Sequence, residues 1–244
     1  MDLPATERLW ITEPRRTTAL ARVVAVRGAA FALDRSLFAP TSRTHRHPQP
    51  HDQGTVWGEG EKRWLMRVEE RDGALWHRLK GMLPPIGTEL NCHLDAERRA
   101  QVSRTHTAMH LLLAALRPHR AALTADPKVK LGGTFRLDLA APLAPRALAE
   151  ALARANAWAA EDRRVTREHL PRGTEAKLLD AQAFQPPDPY PGPAATLDAV
   201  RIEGVCAYPC DGTHVERTRK VGRIVIPVAR AAHGGAVIVA KVAG

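Results

Sequence analysis

The sequence has few cysteines and no long apolar run, and each shortage excludes a class of protein. Three cysteines in 244 residues are too few, and odd in number, for the disulfide framework of a small secreted domain. No stretch approaches the roughly 18 consecutive apolar residues that a transmembrane helix needs. The N-terminus, MDLPATERLW, has no apolar run behind a basic start, so we expect no secretory signal. These absences predict a cytoplasmic protein that does not interact with a membrane.

Acidic residues are also scarce relative to basic ones. The 36 Lys and Arg against 26 Asp and Glu give a formal net charge of +10. Unpaired positive surface attracts polyanions without reading their sequence, which favours a nucleic acid as the partner. Only seven of the cations are lysines in a chain rich in alanine, so a compositional bias of the genome is the competing explanation. With 44% hydrophobic and 25% charged residues, the chain has the composition of a protein with a buried core.

Two regions with different hydrophobic patterns predict two domains, residues 1–94 and 95–244. The first has short alternating or apolar runs between turn signals, which is typical of a small β-barrel. The second has helical patterns and further short strands, which predict an α+β domain with an antiparallel sheet. The predicted strands are Thr18–Val26, Ala29–Leu33, Trp64–Glu69, Leu75–Leu79, Glu89–Leu94, Gly133–Leu139, Asp198–Val205, Arg223–Val228 and Ala236–Val242, and the predicted helices are Asp95–Leu116 and Pro145–Glu161.

Two segments are predicted to be loops. Arg43–Gly54 is polar and rich in histidine, and it lies between two groups of predicted strands. Gln185–Pro193 contains five prolines, which exclude regular structure. We expect both segments to lie on the surface.

Four side chains with nitrogen or sulfur donor atoms are candidates for a metal site. His106 and His110 stand four residues apart in a predicted helix, so both imidazoles project from one face. Cys210 and His214 belong to the segment CDGTH between two predicted strands, where Asp211-Gly212 supplies a turn. This set of nitrogen and sulfur donors suits Zn²⁺ better than Mg²⁺ or Ca²⁺. The sequence therefore predicts a zinc site.

These motifs resemble the H-x-x-x-H and C-x-x-x-H signature of the alanyl-tRNA editing family (AlaX-type proteins), which is related to the editing domains of alanyl- and threonyl-tRNA synthetases. The resemblance is carried by HTAMHLL at His106–Leu112 and CDGTHV at Cys210–Val215. QPHDQG at Gln49–Gly54 is similar to the end of the family's glycine-rich motif, and RLDL at Arg136–Leu139 is similar to its R-x-D-F strand. The family pairs an N-terminal β-barrel with an α+β editing domain. Its run of glycines is replaced here by RTHRHP at residues 43–48.

The resemblance implies a zinc-dependent trans-editing hydrolase that cleaves the ester between a wrong amino acid, chiefly serine and also glycine, and tRNA(Ala). The implied partner is the mischarged alanine tRNA, and we infer no protein partner. Through the resemblance, Gln49 and Asp52 become candidate catalytic residues. Thr107 and Thr213 stand next to predicted ligands, so either hydroxyl is a further catalytic candidate for bonding to the substrate.

Two alternatives stay open at this point. The altered 43–54 loop favours a zinc hydrolase of a different aminoacyl-tRNA ester. A zinc ion held by all four side chains is typical of a structural site, which favours a non-catalytic basic RNA-binding protein. In each case, Arg98, Arg99 and Arg104 flank the predicted ligands and are candidates for contacts with tRNA phosphates.

Overall fold

The computed structural model describes residues 5–41, 49–60, 62–71, 74–122, 128–130, 132–171, 196–232 and 235–243. Most of the histidine-rich loop and the whole of the predicted loop Gln185–Pro193 lie outside these residues. The chain divides into two compact units, one formed by Met1–Ser42 and Pro50–Ala100 and the other by Arg43–Gln49 and Gln101–Gly244. The chain thus changes unit after Ser42, after Gln49 and after Ala100, and the sequence prediction has a single domain boundary after residue 94.

Antiparallel strands make up most of the first unit. Its strands are β1 (Glu7–Arg8), β2 (Thr18–Arg27), β3 (Ala30–Leu33), β4 (Arg35–Ser36), β5 (Gly54–Trp57), β6 (Arg63–Arg71), β7 (Ala74–Leu79) and β8 (Glu89–Leu94), with a short helix α1 (Leu9–Thr12) after β1. Strands β2, β3, β7, β6, β5 and β8 pair in this order into a closed barrel, and β1 pairs with β4. Side chains alternate along a strand, so Ala19, Ala21 and Val23 of β2 are buried between exposed neighbours.

The second unit combines helices with antiparallel sheets. Its elements are the part of α2 (Ala96–Ala115) that follows Ala100, β9 (Lys128–Val129), β10 (Thr134–Leu139), α3 (Pro145–Ala160), β11 (Val165–Pro171), β12 (Thr196–Ile202), β13 (Cys206–Pro209), β14 (Arg223–Ala232) and β15 (Gly235–Ala243). One sheet has the order β14-β15-β10-β9 and the other has the order β11-β12-β13. None of the helices in the described part of the chain has the length and apolar character that crossing a membrane requires.

Helix α2 is the element that positions the candidate site. Asp95 caps its start, because the carboxylate accepts a hydrogen bond from the backbone N–H of Arg98 at 2.9 Å. Every residue from Thr105 to Leu116 is buried, as the apolar run on all sides of this helix predicts. Packing on every side fixes the rotation of the helix, and therefore the direction of each side chain that it carries.

The predicted strand Asp198–Val205 is confirmed up to Ile202, but it runs too far, because the chain turns there into a hairpin. Strand β12 ends at Ile202, which pairs directly with Cys206 at the start of β13. Gly204 lies in the turn with a φ of +65°, a conformation that glycine adopts at little cost. As a consequence, Cys210 directly follows the third strand of a sheet.

Candidate metal centre

Four side chains from two distant parts of the chain meet in the second unit. His106 and His110 project from α2, and Cys210 and His214 belong to the loop after β13. Their ligating atoms all lie within 4.8 Å of one another, so the four residues can hold one metal ion. The ring centroids of the two helical histidines are 5.1 Å apart, as expected for positions separated by one helical turn.

Two distances from the Cys210 sulfur fit a tetrahedral zinc ion. Zn–N bonds of about 2.0–2.1 Å and Zn–S bonds of about 2.3 Å place neighbouring ligand atoms roughly 3.3–3.6 Å apart in a tetrahedron. Sγ of Cys210 lies 3.5 Å from Nε2 of His106 and 3.4 Å from Nε2 of His214. Burial, and secondarily the Asp211 carboxylate, raises the pKa of the Cys210 thiol to about 12. A thiolate at this position is therefore stable only beside a cation.

Hydrogen bonds from outside the cluster orient two of the imidazoles. Oε1 of Gln49 accepts a hydrogen bond from Nδ1 of His106 at 2.9 Å. The Thr107 hydroxyl donates to the Ser103 carbonyl at 2.9 Å and lies 3.1 Å from Nδ1 of His214, from which it accepts. With Nδ1 protonated in both rings, each Nε2 keeps its lone pair directed at the cluster.

Gln49 is buried between the helix and the ligand loop. Its Oε1 also accepts from the backbone N–H of Thr213 at 2.8 Å and from the Thr213 hydroxyl at 3.2 Å. Gln49 is 3% exposed, and its Nε2 makes no hydrogen bond with any described residue. The structure thus brings three of the four predicted catalytic residues, Gln49, Thr107 and Thr213, beside the metal cluster, and one buried amide donor lacks an acceptor among the described residues.

Asp52, the fourth predicted catalytic residue, makes its contacts within the first unit. Its two carboxylate oxygens lie 2.9 and 3.0 Å from Nε of Arg99, and a second guanidinium nitrogen completes a buried ion pair. The backbone N–H of Ala39 donates to the same carboxylate at 2.6 Å, and Arg99 donates to the Leu37 carbonyl at 2.7 Å. These contacts favour a structural role for Asp52, and they engage Arg99 in the interior rather than with tRNA phosphates.

Arg167 of β11 holds the ligand loop and was missed by sequence reasoning. Its guanidinium donates to the backbone carbonyls of Cys210 and Asp211, both at 3.3 Å, and to that of Gly212. Strand β11 is only half-buried and has no apolar alternation, so neither the strand nor its arginine is visible in the hydrophobic pattern. Three carbonyls bound by one planar group fix the direction in which the loop leaves β13.

Gly212 is expected to be irreplaceable, because the ligand loop passes against an imidazole. A Cβ at this position would lie 2.2 Å from Cε1 of His106 and 2.9 Å from Oε1 of Gln49. We predict that Gly212→Ala displaces the loop, lowers the zinc content of the purified protein well below one ion per chain and lowers its Tm. Arg219→Ala, at an exposed position of the same connection between β13 and β14, is the control. Full zinc content and an unchanged Tm in Gly212→Ala would contradict this close approach.

Curated relatives match the chain along nearly its whole length. The alanine–tRNA ligase of Methanopyrus kandleri is 30% identical over 240 residues, which cover 92% of this chain and 25% of the relative. The alanine–tRNA ligase of Pyrococcus abyssi is 31% identical over 229 residues, with 92% and 24% covered. That of Korarchaeum cryptofilum is 29% identical over 245 residues, with 96% and 26% covered. The chain thus spans about a quarter of the length of these relatives, and no protein-family model matches it.

Proposed function

Since the chain belongs to the alanyl-tRNA editing family, which is related to the alanine–tRNA ligases that it matches, we propose that it is a zinc-dependent hydrolase that deacylates mischarged tRNA(Ala). The observation that carries the proposal is the cluster of three histidines and one cysteine, in which the Cys210 sulfur lies at a zinc-like distance from two imidazole nitrogens. We propose serine as the main amino acid removed, glycine as a second one, and the cytoplasm as the location. The net charge of +10 supports a polyanionic partner such as tRNA.

The residues around the cluster supply what hydrolysis of an aminoacyl ester needs. Such an ester is already activated, so the site has to position a water molecule and stabilise the negative charge that develops on the carbonyl oxygen. A zinc ion held by three of the four side chains would leave one position for a water molecule, and it would act as a Lewis acid that lowers the pKa of that water towards neutrality. The Nε2 group of Gln49 is held in place by the three contacts of Oε1, and it is a preorganised donor for an oxygen of the substrate.

The burial of the four ligands supports one direction of substrate approach. His106, His110 and Cys210 are buried, whereas His214 is only half-buried. A substrate therefore reaches the cluster from the side of His214. The hydroxyl of Thr213 is close to this histidine in the chain and lies 3.2 Å from Oε1 of Gln49, so it is placed to bond to the amino acid that is removed.

Deacylation of tRNA(Ala) charged with serine, glycine or alanine tests this function directly. The zinc-loaded full chain is incubated with each labelled aminoacyl-tRNA, and the ester that remains is measured over time. We expect rapid loss of the seryl ester, measurable loss of the glycyl ester, and an alanyl ester that is cleaved far more slowly. Reactions without protein, and with protein whose zinc has been removed by a chelator, give the background rate.

Three other results would overturn the proposal in different ways. If seryl- and glycyl-tRNA(Ala) stay intact while another aminoacyl-tRNA is cleaved, the protein is a hydrolase of a different ester. If no aminoacyl-tRNA is cleaved by folded, zinc-loaded protein, the site is a structural zinc site in an RNA-binding protein. If the chelator leaves the rate of deacylation unchanged, the hydrolysis does not depend on zinc.

A further inference from the structure

We propose that a second pocket of the same unit, next to the glycine turn between β9 and β10, binds a phosphate group of the RNA backbone. The assignment of that phosphate to tRNA rests on the function proposed above. The pocket has a volume of about 430 Å³ and is formed by one face of α2, the glycine turn and the end of β15. Its polar or charged side chains and its glycines are Gln101, Arg104, Thr105, Gly132, Gly133 and Lys241.

Helix α2 presents a polar face to this pocket. Gln101, Arg104 and Thr105 are three and four residues apart, so they share one side of the helix. The Thr105 hydroxyl is occupied as a donor, because it donates to the Gln101 carbonyl at 2.7 Å. The side-chain groups of α2 that can donate to a ligand are therefore the amide of Gln101 and the guanidinium of Arg104.

The charged side chains that line the pocket are both cations. Arg104 donates through Nε to the Val221 carbonyl at 3.1 Å, and neither Arg104 nor Lys241 pairs with an acidic side chain of the described residues. Other arginines of this unit do have such partners, for example Arg201 with Glu168. Two cations around one polar pocket, without a carboxylate to balance them, attract an anion to it.

The glycine turn lines the same pocket as the two cations, and its backbone conformation suits an anion. Gly132 and Gly133 have φ values of +72° and +71°, which side-chain-bearing residues rarely adopt. A Cβ at Gly132 would meet no atom within 4 Å, so the conformation of the turn, and not crowding, calls for glycine there. Successive backbone N–H groups in turns with left-handed residues form anion-binding concavities.

A phosphate is the anion that fits this combination best. The planar fork of an arginine can bind two oxygens of one phosphate, and a lysine adds a point charge. The volume of about 430 Å³ is larger than a single phosphate ion needs, so a nucleotide chain can enter with sugar atoms on either side. The proposed ligand is therefore a phosphodiester of RNA, and the test below distinguishes it from free phosphate.

The test measures the binding of tRNA(Ala) that carries no amino acid, so that its result does not depend on hydrolysis. We compare wild type, the double variant Arg104→Gln/Lys241→Gln and the matched control Arg154→Gln/Lys80→Gln. Like the pocket variant, the control removes two positive charges, but from exposed side chains that do not line the pocket. For the pocket variant we expect affinity to fall about tenfold more than in the control, because two charge-assisted contacts are lost. The slope of log K against log salt should decrease by about one, because one phosphate is no longer neutralised.

A second measurement separates an RNA phosphate from a free one. Inorganic phosphate alone is titrated into ¹⁵N-labelled wild type and pocket variant at constant ionic strength, with chloride as the reference. Saturable shifts of the Gly132 and Gly133 amide signals in wild type, absent in the variant, support the pocket. If phosphate gives these shifts but tRNA binds the variant and the control equally, the pocket takes free phosphate and the RNA assignment is wrong. If the pocket variant binds tRNA as tightly as the control and responds to phosphate as wild type does, the pocket is not a phosphate site. This conclusion does not depend on the outcome of the deacylation assay.

Discussion

Cys210→Ala is expected to lose the zinc ion and to lower the rate of seryl-tRNA(Ala) deacylation by several orders of magnitude. The Cys210 sulfur lies within 3.5 Å of two imidazole nitrogens, so its removal leaves three neutral nitrogen donors and no negative ligand. A ligand that binds only the folded state stabilises it by about 4 kcal/mol when its concentration is about a thousandfold above its Kd. Loss of zinc should therefore also lower the Tm. Zinc content, deacylation rate and Tm are measured on the same preparation.

Controls for Cys210→Ala separate the metal site from the loss of a buried thiol. Cys92 is buried in the first unit and, like Cys210, has a pKa raised by burial to about 12. We expect Cys92→Ala to keep its zinc and its activity. His110→Ala should behave like Cys210→Ala, with a circular dichroism spectrum showing that the chain is still folded. A Cys210→Ala protein that keeps one zinc ion and wild-type activity would exclude this cysteine from the site.

The metal cluster could be predicted from the sequence because its two halves have fixed local geometry. A spacing of four residues on a helix puts His106 and His110 on one side, whatever the tertiary structure. The turn at Asp211-Gly212 folds the CDGTH segment back on itself in the same local way. Whether the two halves face each other depends on how α2 packs. The uninterrupted apolar run indicates that the helix is buried, but it does not determine the rotation of the helix about its axis. The shared donor chemistry of the two halves predicts that they meet, and the resemblance to the editing family supports this.

The surroundings of the cluster could not be predicted, because they depend on contacts between residues far apart in the sequence. Arg167 reaches the carbonyls of the ligand loop from a strand with no apolar pattern. Nothing in the sequence pairs Arg99 with Asp52, 47 positions away. The resemblance suggested a catalytic role for Asp52, whereas its contacts are those of a buried structural ion pair. Local rules thus identify donor residues, and long-range packing decides what each one touches.

Asp52→Asn is expected to lower the free energy of unfolding by about 3–5 kcal/mol, because it leaves the buried Arg99 guanidinium without its counter-charge. The side chains of Asp52 and Arg99 are 0% and 9% exposed. The control is Glu13→Gln, which breaks the exposed pair with Arg16, 2.9 Å apart. An exposed pair contributes only about 0–1 kcal/mol, so the control should unfold almost like wild type. Urea titrations followed by circular dichroism measure both changes.

The double variant Asp52→Leu/Arg99→Met decides between a structural and a catalytic role for the carboxylate. Replacing both members of a buried ion pair with apolar side chains of similar volume removes the unpaired charge, so we expect part of the stability lost in Asp52→Asn to return, although the Ala39 N–H and the Leu37 carbonyl lose their partners. If Asp52 acts only through the fold, the deacylation rate returns with the stability. If the double variant is as stable as wild type and binds zinc, but deacylates seryl-tRNA(Ala) as slowly as Cys210→Ala, then Asp52 has a direct part in catalysis and the structural interpretation is wrong.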